Sequence, residues 1–288
     1  TDATLDMGPM SFSRTALLVA AHRARATARE DAICHDPYAS ALAGEDGFAL
    51  ARAYDEFNPH LELWVSLRTA AIDAAVQEAI EDGIRQVVIL GAGLDTRAAR
   101  LGRPGVRFFE VDKPETQAEK KRRIAQLTGY PQDAATYVTC NFESDDFLDR
   151  LVASGFHVNE LSFFVWEGVT YYLTEPAVRA TLRKIAEGTH PRSRVIFDYF
   201  GRQFVEGQPR NEQDGAAREY VAKLGEPFRF GTNDVLPLLY EEGFRYVNVT
   251  SFDELCLTLT GTYDRARKFR FQHIAVASRT RPQRWSVT

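Results

Sequence analysis

The chain has 288 residues, of which 44% are hydrophobic and 26% charged, and its formal net charge is −5. This is the composition of an ordinary soluble globular protein, and the length suits one large domain with insertions. The acidic balance and the lack of a basic run argue against a nucleic-acid partner, and no apolar run is long enough to cross a membrane.

Cysteine and histidine are too sparse and too scattered to suggest a metal site. Cys34, Cys140 and Cys256 lack metal-ligand spacing, and the six histidines show none either. A low, odd cysteine count is typical of a reducing compartment, and the first residues lack the pattern of a secretion signal. We therefore expect a cytoplasmic protein without a metal ion.

The N-terminal part is predicted to be helical. Residues 13–30 are rich in alanine, and this helix ends before the segment His35–Tyr38. Residues 61–82 form the clearest helix, because apolar residues recur at steps of three and four and Gly83 follows.

From residue 86 onward, predicted strands alternate with predicted helices. Residues 161–166 are apolar almost throughout, as in a parallel strand that is covered on both faces. Such alternation predicts a parallel, doubly wound sheet. The predicted strands are 86–90, 106–111, 136–140, 161–166 and 194–199, and the predicted helices are 114–127, 144–155 and 174–188.

The C-terminal part breaks this alternation. A helix at 232–242 is followed by strands at 244–249 and 269–276 with no long helix predicted between them, which favours an antiparallel pair at one sheet edge. One α/β domain over 1–288 is expected, with a helical lid at 1–60, a cofactor-binding core at 61–200, an insertion over the active-site face at 201–230, and a final helix and strand pair at 231–278.

A glycine turn after the first strand is the most informative local pattern. Gly91 and Gly93 follow the apolar run 87–90, and glycine lets a backbone approach a ligand closely. Asp112 ends the second strand, about twenty residues on, where a carboxylate can accept two hydrogen bonds from ribose hydroxyls. Glu110 lies on the same face, but Asp112 is nearer the sheet end. The pattern predicts a nucleoside-binding site.

The same turn discriminates between nucleoside cofactors. Thr96 stands where the dinucleotide fingerprint G-x-G-x-x-G has its third glycine, which argues against NAD. Five parallel strands followed by an antiparallel pair suit a class I S-adenosylmethionine methyltransferase better than a six-stranded dinucleotide fold. We therefore predict a Rossmann-like, seven-stranded methyltransferase sheet with a helical N-terminal lid, and S-adenosyl-L-methionine as cofactor.

Three motifs also resemble a known family. The segments Leu90–Arg97 (LGAGLDTR), Phe109–Pro114 (FEVDKP) and Trp166–Leu173 (WEGVTYYL) are similar to the leucine carboxyl methyltransferase family, which includes bacterial branches acting on polyketides and many actinobacterial members. The resemblance extends from about Arg14 to Tyr199, and the combination of the three motifs carries it.

The resemblance implies roles for individual residues around the cofactor. Gly91 and Gly93 would approach its methionine part, and Asp112 would bind the ribose. Asn141 and Phe142 stand where the family usually has Asp-Leu, so they would contact the adenine amino group and cover the ring.

The amino-acid end of the cofactor needs charged partners. Glu167 would accept the α-ammonium, and Arg68 suits bidentate pairing with the carboxylate. Arg14 is a candidate second cation from the lid. For each residue the alternative is structural: a loop contact, an ion pair or a solvated charge.

The acceptor site is less constrained. Tyr171, Tyr172 and Tyr199 follow or end strands four and five, where they either position an acceptor or pack in the core. Aromatic residues in the lid and insertion would either contact a planar organic acid or pin these segments to the sheet. They are Phe12, Phe48, Tyr54, Phe57, Phe200, Phe204, Phe228 and Phe230.

No convincing general base stands out, and a carboxylate acceptor needs none because it is ionised near neutrality. The sequence thus favours O-methylation of a carboxylate on a small, polyketide-like natural product, giving a methyl ester. Alternatives are a phenol or other hydroxyl acceptor, a protein C-terminal carboxyl group, an NAD-dependent oxidoreductase and a non-catalytic cofactor-binding protein. The oligomeric state is not predicted.

Overall fold

The computed structural model describes residues 13–142, 144–207, 212–263 and 271–282. Its centre is a seven-stranded sheet of order β3-β2-β1-β4-β5-β7-β6. Strands β1 to β5 are parallel, and β7 is antiparallel to both β5 and β6. The strands are β1 (Gln86–Leu90), β2 (Arg107–Asp112), β3 (Thr136–Thr139), β4 (Ser162–Trp166), β5 (Arg194–Phe200), β6 (Tyr246–Ser251) and β7 (Gln272–Ser278).

This arrangement confirms the predicted α/β fold with its antiparallel C-terminal strands. From β1 the chain moves outward through β2 and β3, and it then returns to the other side of β1 for β4 and β5. The reversal leaves a crevice beyond the carboxyl ends of β1 and β4, which is where ligands bind in open α/β sheets.

Helices surround the sheet, and several begin at a side-chain cap. Ser13 caps α1, Asp146 caps α6 and Asp234 caps α10. The described helices are α1 (Arg14–Thr27), α2 (Ala39–Asp55), α3 (Leu61–Glu81), α4 (Arg97–Leu101), α5 (Pro114–Ile124), α6 (Phe147–Ala153), α7 (Glu175–Gly188), α8 (Arg202–Val205), α9 (Glu212–Lys223), α10 (Val235–Glu241) and α11 (Phe252–Thr260), with a short 3₁₀ turn at Thr170–Tyr172.

The connection between the C-terminal strands is longer than the short one expected. The nine-residue helix α11, which was not predicted, lies between β6 and β7. Ser251 and Glu254 form a reciprocal capping box at its start, and Gly261 ends it in a left-handed conformation. The strands still pair antiparallel, so the extra helix changes the connection and leaves the sheet order intact.

Side-chain alternation along the strands divides the core into two layers. Val87 and Ile89 of β1 pack on the side of α1, α2 and α3, whereas Val88 and Leu90 pack on the side of α6, α7 and α10. Burial of each such aliphatic side chain stabilises the fold by roughly 1.5–3 kcal/mol. Because both faces are covered, polar side chains can reach a ligand only at the strand ends.

In the described part of the chain, no helix combines the length and the apolar character that a membrane span requires.

Candidate functional site

A cavity of about 640 Å³ lies beyond the carboxyl ends of β1, β2 and β4. Its floor is formed by the turn after β1, the end of β2 and the segment after β4, and its roof by the first turn of α1 and residues 223–229. The volume is in the range of roughly 300–1,000 Å³ that is typical of small-ligand pockets. The cavity thus occupies the crevice that the strand order creates.

The glycine turn forms one wall of this cavity in a conformation that favours glycine. Gly91 and Gly93 have φ angles of +65° and +50°. A Cβ atom on Gly91 would lie 2.5 Å from Val169 Cγ2, and one on Gly93 would lie 3.3 Å from Ala16 Cβ. Glycine is therefore required at position 91 both by the backbone and by the contact with the segment after β4.

Asp112 lines the same wall and is held by the turn. Its carboxylate accepts a hydrogen bond of 2.6 Å from the Gly93 N–H and one of 2.7 Å from the Lys113 N–H. Burial raises the pKa of Asp112 above its ordinary value, although both N–H groups favour the ionised form. Each carboxylate oxygen keeps a lone pair for a further donor.

Glu110, the other carboxylate on this face of β2, does not line the cavity. It is 1% exposed and forms a buried ion pair with Lys120. Burial raises the pKa of Glu110 to about 7 even though Lys120 opposes the shift. The strand therefore presents one carboxylate to the cavity and buries the other.

Arg68 and Glu167 meet at the deep end of the cavity, where the sequence predicted the amino-acid end of the cofactor. Arg68 Nε donates to Glu167 Oε1 over 2.9 Å. Arg68 Nη1 donates to Asp198 Oδ2 over 2.8 Å and to the Tyr171 hydroxyl over 3.0 Å. These bonds use the N–H groups of Nε and Nη1. Arg68 therefore does not offer two free nitrogens to a ligand carboxylate, as the expected bidentate pairing requires.

Glu167 is also paired with a second arginine. Arg97 Nη1 lies 2.5 Å from both Glu167 Oε2 and Asp95 Oδ2, and Arg97 Nε lies 2.7 Å from Asp73. Burial opposes ionisation of Glu167, but the guanidinium groups of Arg97 and Arg68 outweigh it and lower its pKa to about 2. The structural alternative for Glu167, an ion pair, is thus realised, while its carboxylate still lines the cavity.

The ionic cluster continues from the cavity floor into the N-terminal helices. Arg23 of α1 pairs with Asp36 over 2.6 Å and donates to the Leu94 carbonyl. Asp36 in turn accepts a hydrogen bond from the Thr96 hydroxyl. The threonine at the position of the missing third glycine therefore attaches the N-terminal segment to the turn.

Asn141 and Phe142 line the side of the cavity beyond Asp112. The Asn141 N–H donates to Asp145, which fixes the backbone after β3, while the residue itself is exposed. Phe142 is half-buried and packs beside Phe147. Both residues therefore share the cavity with Asp112, and their contact with an adenine remains a prediction.

Polar and cationic side chains form the roof. The Thr15 hydroxyl of α1 donates to the Glu226 carboxylate, and Tyr172 lies beside both. Arg14, Lys223 and Arg229 also line the cavity. The roof thus joins the N-terminal helix to the segment that follows α9.

Two of the three predicted acceptor-positioning tyrosines line the cavity, and Tyr199 does not. Alternation along β5 puts Asp198 on the cavity side and Tyr199 on the opposite face, where it stacks on His273 with ring centroids 5.2 Å apart. Tyr199 is therefore a core residue, so the packing alternative is the one observed and Tyr199 is withdrawn as an acceptor-positioning candidate.

The aromatic side chains of the lid and insertion also pack away from the cavity. Phe200 stacks on Tyr171 and Phe204 on Phe271, each with centroids 3.9 Å apart. Of the two alternatives for these rings, packing against other protein groups is observed and contact with the cavity is not. The cavity is not lined by the described members of the set, Phe48, Tyr54, Phe57, Phe200, Phe204, Phe228 and Phe230, and Phe12 lies outside the described residues.

Sequence reasoning missed Arg97, Asp198 and Glu226. Asp198 is the one carboxylate in the buried, largely apolar strand β5, and an acid in such a strand requires a partner. Arg97 ends the motif LGAGLDTR, in which roles were predicted only for the glycines and Thr96. Within the described ranges, no group of histidine, cysteine and acidic side chains could hold a metal ion.

The strand order, the glycine turn and the strand-end carboxylate together define a nucleoside-binding α/β protein of the methyltransferase type. Comparison with known proteins agrees. A family model described as leucine carboxyl methyltransferase matches residues 16–186. The chain belongs to this family.

Curated relatives carry methyltransferase names. A protein of Mycolicibacterium smegmatis, named as an S-adenosyl-L-methionine-dependent methyltransferase, is 35% identical over 207 residues, which are 68% of this chain and 69% of that protein. A protein of Streptomyces coelicolor with the same kind of name is 32% identical over 206 residues, covering 69% of this chain and 72% of its own length.

Solved structures share the fold. A crystal structure described as a methyltransferase from Thermobifida fusca superposes with a TM-score of 0.65 at 14% identity, covering 94% of this chain and 97% of the other. A DUF574 family protein from Streptomyces avermitilis superposes with a TM-score of 0.61 at 16% identity, covering 91% of this chain and 97% of the other.

Proposed function

We propose that this protein is an S-adenosylmethionine-dependent O-methyltransferase that converts the carboxylate of a small organic acid into a methyl ester. The observation that carries the proposal is the division of the cavity. One end has the glycine turn and a strand-end carboxylate, whereas the roof has three cationic side chains and one carboxylate, that of Glu226. The first end suits a nucleoside with an amino-acid tail, and the roof suits an anionic acceptor.

The residues at the first end fit the cofactor. Gly91 and Gly93 present backbone without Cβ atoms to the cavity, and Asp112 keeps lone pairs for two ribose hydroxyls. Asn141 and Phe142 would contact the adenine, while Glu167 and Arg68 would hold the amino-acid end. When bound, the cofactor supplies a methyl group activated by a sulfonium charge.

The chemistry of the acceptor follows from the side chains available to take a proton. Among the residues lining the cavity, none is a histidine. Burial raises the pKa of both Tyr171 and Tyr172 above the ordinary tyrosine range, so neither hydroxyl is a base near neutrality. A carboxylate acceptor is already ionised and needs no base. Tyr171 and Tyr172 would then position the acceptor.

The size and charge of the roof favour a small acid. Arg14, Lys223 and Arg229 give the cavity mouth three cationic groups that attract a carboxylate. The cavity of about 640 Å³ must hold the cofactor as well as the reacting end of the acceptor. Polyketide-like acids are the first class to test, followed by phenols and C-terminal peptides.

The proposal is tested by methyl transfer from methyl-labelled S-adenosylmethionine to a panel of small carboxylic acids, phenols and peptides with free C-termini. We expect label in an acid, and its release as methanol under mild base, because an ester is cleaved there. A base-stable product would instead identify a hydroxyl acceptor. Absence of S-adenosylhomocysteine binding by calorimetry would remove the cofactor assignment itself.

A further inference from the structure

Asp198 forms an ion pair with Arg68. Arg68 lines the cavity, whereas Asp198 does not. It is 1% exposed, and Arg68 is 2% exposed. One carboxylate oxygen, Oδ2, accepts from Arg68 Nη1 over 2.8 Å, and the other, Oδ1, accepts from the Gly168 N–H over 2.7 Å. A single carboxylate thus holds both the guanidinium and the turn that follows β4.

The bonds of Arg68 leave one part of its guanidinium available. Of the five N–H hydrogens of an arginine, one on Nε and two on Nη1 are used by Glu167, Tyr171 and Asp198. Within the described ranges, Nη2 makes no hydrogen bond to the protein. Both Arg68 and Gly168 line the cavity, and the unused nitrogen lies on the side of the guanidinium that faces Gly168.

Gly168 borders this nitrogen without placing a side chain beside it. Its φ angle is +72°, and a Cβ atom built on it would lie 3.5 Å from Arg68 Nη2. Asp198 accepts from the Gly168 N–H and from Arg68 Nη1, so it holds the guanidinium and the adjacent backbone in one arrangement. The Thr170 hydroxyl donates to the Asp198 carbonyl and attaches the same turn to β5.

We propose that Asp198 is a positioning residue that turns Arg68 Nη2 toward the carboxylate of the cofactor's amino-acid end, with the Tyr171 hydroxyl as a second constraint. The inference rests on the proposed function, since it concerns the same cofactor site. A guanidinium whose rotamer is fixed before binding loses less side-chain entropy when its ligand arrives. Asp198 therefore contributes to affinity through Arg68, and it does so only for ligands that carry the amino-acid end.

The test compares two ligands that differ in that end. S-adenosylhomocysteine retains the carboxylate and ammonium, whereas 5′-methylthioadenosine keeps the adenosine and lacks both. Calorimetry on wild type and Asp198→Asn should show S-adenosylhomocysteine binding weakened tenfold or more and 5′-methylthioadenosine binding changed less than twofold. Asparagine keeps the shape and the acceptor for Gly168, so the substitution removes mainly the charge that orients Arg68.

A matched control is Asp82→Asn, which neutralises another buried aspartate paired with an arginine. Asp82 lies 2.6 Å from Arg194 and outside the cavity, so this substitution should not change the affinity of the protein for either ligand. If Asp198→Asn does not fold, Tyr171→Phe replaces it, since the ring keeps its stack on Phe200 and loses only the hydroxyl. That variant should weaken S-adenosylhomocysteine binding about threefold and leave 5′-methylthioadenosine unaffected.

Equal weakening of both ligands in the variant at Asp198 or Tyr171 would show a merely structural role and overturn the inference. Unchanged binding of S-adenosylhomocysteine would overturn it as well. If wild type binds neither ligand, the proposed function fails first, and the inference falls with it.

Discussion

Glu167 shows how a single buried carboxylate depends on its neighbours. Burial by itself disfavours the charged form of this carboxylate and raises its pKa. Arg97 and Arg68 reverse that preference, and each of its two oxygens receives one guanidinium N–H. The residue is therefore both a part of the cavity wall and an ionic link between α3 and the turn after β1.

This environment predicts a specific dependence of stability on pH. The pKa of Glu167 falls from an ordinary 4.5 to about 2 in the folded protein, so its ionised form stabilises the fold above about pH 4.5. That contribution, roughly 3 kcal/mol for such a shift, is lost as the pH drops from about 4.5 toward 2.

Glu167→Gln should therefore lower the free energy of unfolding at pH 7 and flatten its decline below pH 5. Urea unfolding of both proteins, from pH 7 down to the lowest pH at which both are folded, gives the comparison. Glu160→Gln is the control, since Glu160 pairs with Arg107 at the exposed surface. Parallel curves for wild type and Glu167→Gln would contradict the assignment.

At the scale of elements, the turn after β1 depends on glycine for two separate reasons. Gly91 has φ +65°, and Gly261 at the end of α11 has the similar value of +67°. A Cβ atom on Gly261 would meet nothing within 4 Å, whereas one on Gly91 would meet Val169 Cγ2 at 2.5 Å. The two positions thus separate the cost of the backbone conformation from the cost of the clash.

Gly261→Ala should destabilise the protein by about 1 kcal/mol, the cost of placing an L residue in the left-handed region. Gly91→Ala should cost about 1–3 kcal/mol more, because the β-branched Val169 has few alternative rotamers with which to give way. Urea unfolding at neutral pH measures both. Equal destabilisation would mean that Val169 moves freely and that the turn does not pack against the segment after β4.

Some strands and helices were easier to predict from the sequence than others. Strands β1, β4 and β5 were predicted closely because they are buried throughout and largely apolar, as parallel strands covered on both faces are. Helices α2 and α9 were missed, since α2 contains Gly44 with φ +61° and α9 contains Gly215, and glycine weakens a helical pattern. Helix α11 was missed although its Ser251-x-x-Glu254 capping box is readable in the sequence.

At the scale of the whole molecule, the site depends on contacts that no short sequence window contains. Arg68 and Asp198 are 130 residues apart, and Arg68 and Glu167 are 99 apart. Motif spacing placed Asp112 and the glycines beside the cavity, because strand and turn geometry is local. The partners of Arg68 follow only from the order of the strands. The sequence therefore predicted a guanidinium free to bind a ligand carboxylate, whereas in the structure Glu167 and Asp198 already use most of its N–H groups.

The charge distribution of the molecule gives a last prediction. The chain has a net charge of −5, yet the roof of the cavity carries Arg14, Lys223 and Arg229. In a protein that repels anions overall, a local cationic group steers an anionic acceptor to the cavity, and salt screens this attraction. The exposed pair Lys223 and Arg229 is therefore expected to act on the acceptor, while the cofactor is held by the floor.

The double variant Lys223→Gln, Arg229→Gln should raise the KM for the best acid from the acceptor screen about fivefold or more. In wild type, KM should increase with added salt, and in the variant this increase should be smaller. The Kd of S-adenosylhomocysteine should change less than twofold.

The control is the double variant Lys121→Gln, Arg122→Gln, which removes two charges from exposed positions of α5 outside the cavity. It should leave both KM and Kd unchanged. Initial rates at several salt concentrations provide the measurement. A KM insensitive to the roof charges would mean that the acceptor is bound by its apolar body, and the anionic-acceptor argument would lose its electrostatic support.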